Sequence, residues 1–222
     1  MRRTVTPELL DTDSGTAQEI QASLADLRRA NRWFGGVSTT CDLLIRVAET
    51  TRTRSLRVLD VGAATGDVVA AAAERLGGQG ITVTFVLLDR SPSHLNGAHS
   101  AIISDALTLP FADESFDVVT CSLFLHHLEP KEIQQFVGEA LRVARLAVTV
   151  NDLRRHPLHL ALVYAALPLF SRLTRHDAPA SVRRAYTQAE LTDILRATSA
   201  SRLEIRNHYL FRMGAIAWKR LP

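Results

Sequence analysis

The run Val58-Leu-Asp-Val-Gly-Ala-Ala-Thr-Gly-Asp67 constrains the fold more than any other stretch. Leu56 to Val61 is apolar enough for a parallel strand buried on both faces. It runs into Gly62 and Gly66, which take positive φ freely. Val68 to Leu76, rich in alanine, then reads as a helix. This order of strand, glycine turn and helix brings a ligand against bare backbone at a helix N-terminus. Charges beside the turn narrow the ligand. Asp60 precedes it, Asp67 follows it, Asp89 ends the next strand, and Ser104-Asp105-Ala106 follows the third. Such a rim suits an amine, a ribose and an adenine, and it opposes a pyrophosphate. The turn also lacks the G-x-G-x-x-G pattern of dinucleotide sites, which argues against a nicotinamide-dependent oxidoreductase.

Beyond this unit the chain alternates. Strands are expected at 57–61, 82–88, 100–104, 116–121 and 145–150, and helices at 67–76, around 93–98, at 130–140 and at 187–197. Alternation of this kind predicts a doubly wound α/β sheet with helices on both faces. The tail reads as two strands, 202–206 and 210–219, around Asn207-His208. Residues 1–20 are polar and suggest a loose arm. Apolar residues recur at helical spacing in Gln18 to Arg32 and in Ser38 to Glu49, and glycines Gly35-Gly36 separate the two helices. Residues 1–50 are therefore expected as a helical cap and 51–222 as the main domain. An insertion at about 152–186 leaves the fifth strand at the ligand-binding end of the sheet. Its residues 158–170 predict an apolar helix and 171–179 a polar loop, together a lid.

Val58–Asp67 resembles the first motif of the class I S-adenosylmethionine-dependent methyltransferases. Asp105-Ala-Leu-Thr-Leu-Pro-Phe-Ala-Asp-Glu-Ser-Phe-Asp-Val-Val119 is similar to a stretch of their small-molecule branch, which includes enzymes of ubiquinone and menaquinone biosynthesis. Leu125-His126-His127-Leu128 matches the segment that follows. The motifs occur in the family's order over residues 56 to 130. The resemblance implies a Rossmann-like, seven-stranded, mostly parallel sheet with a C-terminal antiparallel hairpin, and S-adenosylmethionine as cofactor. Gly62, Ala64 and Gly66 would form its backbone cradle, with Ala64 where the family usually has glycine. Asp60 or Asp67 would lie near the methionine ammonium, although Asp67 also suits a helix N-terminus on its own. Asp89, followed by Arg90, would accept the ribose hydroxyls. Asp105 and Ala106 would hold the adenine, and Ser122 and Leu123 would lie against the methionine portion.

His126 and His127 follow directly. One of them can serve as a general base, because imidazole titrates near neutral pH; the alternative is packing or positioning. Asp152, at the end of the fifth strand, can orient a histidine or bind a substrate hydroxyl. No metal is expected, since no Cys/His ligand set at sensible spacing accompanies the pair. His156, His159, His176 and Asp177 in the lid are weaker candidates, and Trp33-Phe34 can close the pocket or simply pack. The apolar lid helix suggests a hydrophobic or aromatic small-molecule acceptor, with oxygen the first choice of acceptor atom and carbon the second.

Composition sets the remaining bounds. Net charge is +3, which does not demand nucleic acid. No Asn-Pro-Pro-Tyr type segment follows the fourth strand and no basic-aromatic module flanks the core, against an RNA or protein methyltransferase. A binding module that kept the fold and lost turnover remains an alternative. Two distant cysteines, Cys41 and Cys121, suggest a reducing cytoplasm, and the longest apolar stretch is too short to span a bilayer. A monomer or a homodimer fits equally.

Overall fold

The computed structural model describes residues 1–95 and 100–220. Seven strands form one sheet in the order β3-β2-β1-β4-β5-β7-β6. They are β1 (Ser55–Val61), β2 (Thr82–Asp89), β3 (Ala101–Ile103), β4 (Phe116–Ser122), β5 (Ala144–Leu153), β6 (Arg202–His208) and β7 (Arg212–Trp218). The first five are parallel, and β7 runs antiparallel to both β5 and β6. The order reverses at β1, whose Leu56, Val58, Leu59 and Val61 are fully buried, as a central strand covered on both faces requires.

Helices cover the two faces. On one side α4 (Pro130–Val143) and α7 (Gln188–Arg196) bury Ile133, Phe136, Val137, Leu191 and Leu195. On the other α2 (Gly36–Thr51) and α3 (Asp67–Gly77) bury Leu44, Val47, Val69 and Leu76 around Trp218. Local chemistry marks their starts. Pro130 opens α4, and Thr187 with Glu190 forms a capping box on α7. At the N-terminus, α1 (Ala17–Trp33) begins with a second such box, Thr16 with Glu19.

The insertion contains α5 (Pro157–Ala166), a short 3-10 turn at Leu167–Leu169 and α6 (Arg172–Arg184). The expected polar loop at 171–179 is therefore wrong: that stretch is the first part of α6. Its buried positions Leu173, Thr174, Asp177, Pro179, Ala180, Ser181 and Val182 fall at helical spacing, but Thr174, Asp177 and Ser181 among them are polar. They find partners instead of oil. Thr174 meets the Ser23 hydroxyl of α1 at 3.0 Å, and the Asp177 carboxylate accepts the amides of Leu9 and Leu10 at 2.8 and 3.0 Å. A small apolar contact of Ile20, Leu24 and Leu173 joins α1 to α6.

The loose arm is also corrected. The segment is tied down along its length: Thr4 N donates to Arg183 O, Arg3 Nε to Arg184 O and Arg155 Nε to Met1 O in the insertion, while Asp13 accepts from the Ser91 hydroxyl after β2, and residues 17–20 open α1. Of the helix expected around 93–98, residues 93 and 94 lie in a turn over 92–94, and residues 96–98 lie outside the described ones. The terminal strands meet at a 3-10 turn, Tyr209–Phe211. No helix among the described residues is long and apolar enough to cross a membrane.

Candidate active site

The carboxyl ends of β1, β2, β4 and β5 open into one cavity of about 810 Å³. Gly62, Asp89, Arg90, Ser122, Leu123 and Leu153 line it from the sheet, while Leu24 and Leu27 of α1, Leu162 and Val163 of α5, and Ser181 of α6 line it from the roof. Ligands in doubly wound sheets occupy this position because strand order reverses there.

The glycines let neighbouring side chains pack closely against the turn at the cavity floor. Gly62 has φ of 65°, and a Cβ there would come within 2.6 Å of the Phe124 ring. Gly66 has φ of 70° but faces away from the cavity, where a Cβ would meet Leu87 at 2.5 Å; its role is packing of β2 against the turn. Ala64 sits at φ 46°, a left-handed conformation that costs an alanine energy. Its amide donates to Asp89 Oδ2 at 2.9 Å, and Ser91 N donates to Asp89 Oδ1 at 3.0 Å. Asp89 is thus fixed by two amides while each oxygen retains acceptor capacity. Asp105 Oδ1 accepts Leu107 N at 2.9 Å, an Asx turn at the rim. Burial, with Asp67 and Asp89 nearby, pushes the Asp60 carboxyl up to about 8. A buried acid among acids, beside the turn that ends β1, fits a cationic group such as the methionine ammonium.

Further along the wall stand the paired histidines. His126 is 2% exposed, and its Nδ1 lies 2.6 Å from Asp152 Oδ1. Asp152 Oδ2 accepts the His126 amide at 3.0 Å, and Oδ1 accepts Leu153 N at 2.7 Å. Burial alone would raise the Asp152 carboxyl, but the imidazole and these amides hold it below the usual carboxylate range. Asp152 does not line the cavity; it sits behind His126 and orients it. His127 Nδ1 lies 2.9 Å from Asp11 Oδ2, and its backbone oxygen accepts from Arg184.

Of the residues expected at the site, Asp60, Gly62, Ala64, Asp67, Asp89, Arg90, Asp105, Ala106, Ser122, Leu123, His126 and His127 line the cavity, and Gly66 and Asp152 do not. Phe34 and His159 line it, whereas Trp33, His156, His176 and Asp177 do not. Trp33 is 68% exposed, and His156 stacks on Phe211. Sequence reasoning missed Glu8, Asp11, Asn31, Arg184 and Arg212, all on the wall. Glu8 is 7% exposed, its Oε1 has no hydrogen-bond partner among the described residues, and burial pushes its carboxyl up to about 7. Arg212 is pushed down to about 10 by burial, with Asp152 opposing, and its Nη1 is likewise unpartnered among the described residues. No local pattern marks these residues, because each arrives from a distant segment.

Comparisons with known proteins agree with this geometry. Residues 58–146 match the family described as "Methyltransferase domain". The demethylmenaquinone methyltransferase of Roseiflexus sp. (strain RS-1) is 34% identical over 179 residues, which cover 72% of this chain and 73% of that one. The ubiquinone/menaquinone biosynthesis C-methyltransferase of Xylella fastidiosa (strain 9a5c) is 28% identical, covering 68% of each chain. Among solved structures, magnesium protoporphyrin IX methyltransferase of Synechocystis PCC 6803, with bound S-adenosylhomocysteine, superposes with a TM-score of 0.52. It is 15% identical, and the match covers 82% of this chain and 81% of that one. The expected fold is the one observed. With S-adenosylmethionine as its cofactor, this enzyme belongs to the class I S-adenosylmethionine-dependent methyltransferases.

Proposed function

We propose that the enzyme methylates a small aromatic acceptor bearing an ionisable hydroxyl, at the ring carbon beside that hydroxyl. One observation carries the reading: a single cavity joins the acidic rim of Asp60, Asp67, Asp89 and Asp105 to an apolar wall from α1 and α5, with His126 and His127 on the same wall. The rim suits the cofactor and the apolar wall suits the body of the acceptor. The relatives named for quinone biosynthesis shift the preferred acceptor atom from oxygen, the first choice from sequence, to carbon. Oxygen is the second reading, favoured by imidazoles that act on a hydroxyl directly.

When bound, S-adenosylmethionine supplies a methyl group already activated on sulfur. The protein's work is placement and charge. Asp89 binds the ribose hydroxyls, Asp105 and the Ala106 amide bind the adenine, and Asp60 meets the ammonium. Gly62 lets the cofactor lie against backbone, with Ser122 and Leu123 along its methionine portion. Holding the acceptor in line with the methyl group at near-attack distance provides much of the rate. The corner made by His126, held by Asp152, and His127 ionises the acceptor hydroxyl, which raises electron density at the adjacent carbon. Arg212 suits a carbonyl oxygen elsewhere on the acceptor. The two free, buried cysteines accord with work in the cytoplasm.

The test is turnover of a panel of hydroxynaphthoquinols and simple phenols with labelled cofactor. Methyl carbon shifts in the product distinguish C-methyl from O-methyl. A protein that binds S-adenosylmethionine but methylates none of these, and methylates RNA or protein instead, would overturn the reading.

A further inference from the structure

We propose that Glu8, His126 and His127 form a site for one divalent transition-metal ion of the zinc and ferrous class. One carboxylate oxygen of Glu8 and one ring nitrogen of each histidine all lie within 4.8 Å of one another. His126 Nε2 and Glu8 Oε1 are 3.7 Å apart. Ligands on a tetrahedral ion with bonds of about 2.0–2.1 Å sit somewhat closer than this, so small side-chain shifts close the site.

Two further observations point to a ligand. Glu8 is buried with Oε1 unpartnered among the described residues, at the edge of a cavity deep enough to admit an ion. Both histidines also have Nδ1 against a carboxylate, His126 against Asp152 at 2.6 Å and His127 against Asp11 at 2.9 Å. Carboxylates behind the ring are what metal-ligating histidines commonly have; they orient the ring and raise its basicity. Nε2 is the nitrogen each ring has left to present. Two imidazoles and one carboxylate, with the remaining positions open to the cavity, favour a borderline divalent metal over magnesium or calcium. The ligands come from an N-terminal segment and a distant turn, so no sequence spacing announces the set.

Resting on the proposed acceptor, the ion would take the acceptor hydroxyl oxygen into an open position. The hydroxyl proton would leave to solvent and the oxyanion would stay bound, so the ionisation proposed for the histidine corner would, in the metal-loaded enzyme, be carried out through the ion that corner holds.

The experiment uses the full chain stripped with a chelator and titrated with Co2+, followed by its visible absorption, with Zn2+ as competitor. One equivalent of Co2+ is expected to bind and to be displaced by Zn2+. Glu8→Gln and His127→Ala should each weaken binding on the order of 100-fold or more, and Asp11→Asn about 10-fold. Thermal melts of each variant establish that it is folded, and the isosteric Glu8→Gln guards against collapse of the wall. Absence of saturable binding to wild type overturns the site, as does equal affinity in wild type and both ligand variants. The acceptor panel is assayed in parallel. Methylation of a phenol or quinol without Co2+ binding overturns the metal site alone; Co2+ binding without methylation of any of them overturns the acceptor reading alone.

Discussion

The two ends of the cavity are built by different means. The end proposed for the cofactor is nearly contiguous: Asp60, Gly62, Ala64 and Asp67 come from one turn, Asp89 ends β2 and Asp105 follows β3. Backbone geometry makes most of it, through positive φ at Gly62 and amides that pin Asp89. The end proposed for the acceptor is assembled from Glu8, Asp11, His126, His159, Arg184 and Arg212, brought together only by the tertiary fold. A backbone-made site tolerates little change at its few positions. A side-chain-made site can be altered one wall at a time, so cofactor use and acceptor choice can vary independently on this scaffold.

That separation can be broken by experiment. The largest effect is expected from Asp152→Asn, which removes the charge behind His126: turnover should fall roughly 10²–10⁴-fold with cofactor affinity unchanged. Steady-state kinetics beside calorimetry would show it, and parallel loss of cofactor binding would mean the two ends are coupled. Asp89→Ala should do the reverse, weakening S-adenosylmethionine by at least about 10–100-fold, since each hydrogen bond to a charged group contributes roughly 1.5–3 kcal/mol. Gly66→Ala sharpens the contrast within the turn itself. It faces Leu87 rather than the cavity, so it should cost at least about 1–2 kcal/mol in denaturant unfolding, with modest change in cofactor affinity for the protein that remains folded.

A smaller effect concerns protons. Asp60 is raised from 3.8 to about 8, so the free protein holds it protonated near neutral pH. Its protonation stabilises the fold most below its ordinary 3.8, and that contribution is lost as pH rises through about 8. A cationic ammonium reverses the preference. Cofactor binding near neutral pH should therefore release up to about one proton, and affinity should rise with pH until about 8. Calorimetry in buffers of different ionisation heat measures the release, which Asp60→Asn should abolish. Smallest of all, Ala64→Gly should relieve the left-handed alanine and stabilise the protein by about 0.5–1 kcal/mol.

Legibility in the sequence follows the same division. Strand, turn and helix at 55–77 could be read locally because apolar runs and glycines encode them residue by residue. The strand-end acids and His126 were visible because they sit at fixed offsets from those elements, and Asp152 as an orienting group followed from the end of β5. Glu8 and Asp11 were not, because their only mark is a polar stretch that resembles a loose arm. Helix α6 escaped because its buried face carries Thr174, Asp177 and Ser181, whose burial makes sense only once α1 and the N-terminal segment supply hydrogen bonds.

The two amides of Leu9 and Leu10 that end on Asp177 are protected from exchange for as long as the N-terminal segment stays seated. The same segment carries Glu8 and Asp11 into the cavity wall. If it must lift for the acceptor to enter, deuterium uptake at those two amides counts each opening, and an acceptor held beneath it slows the count.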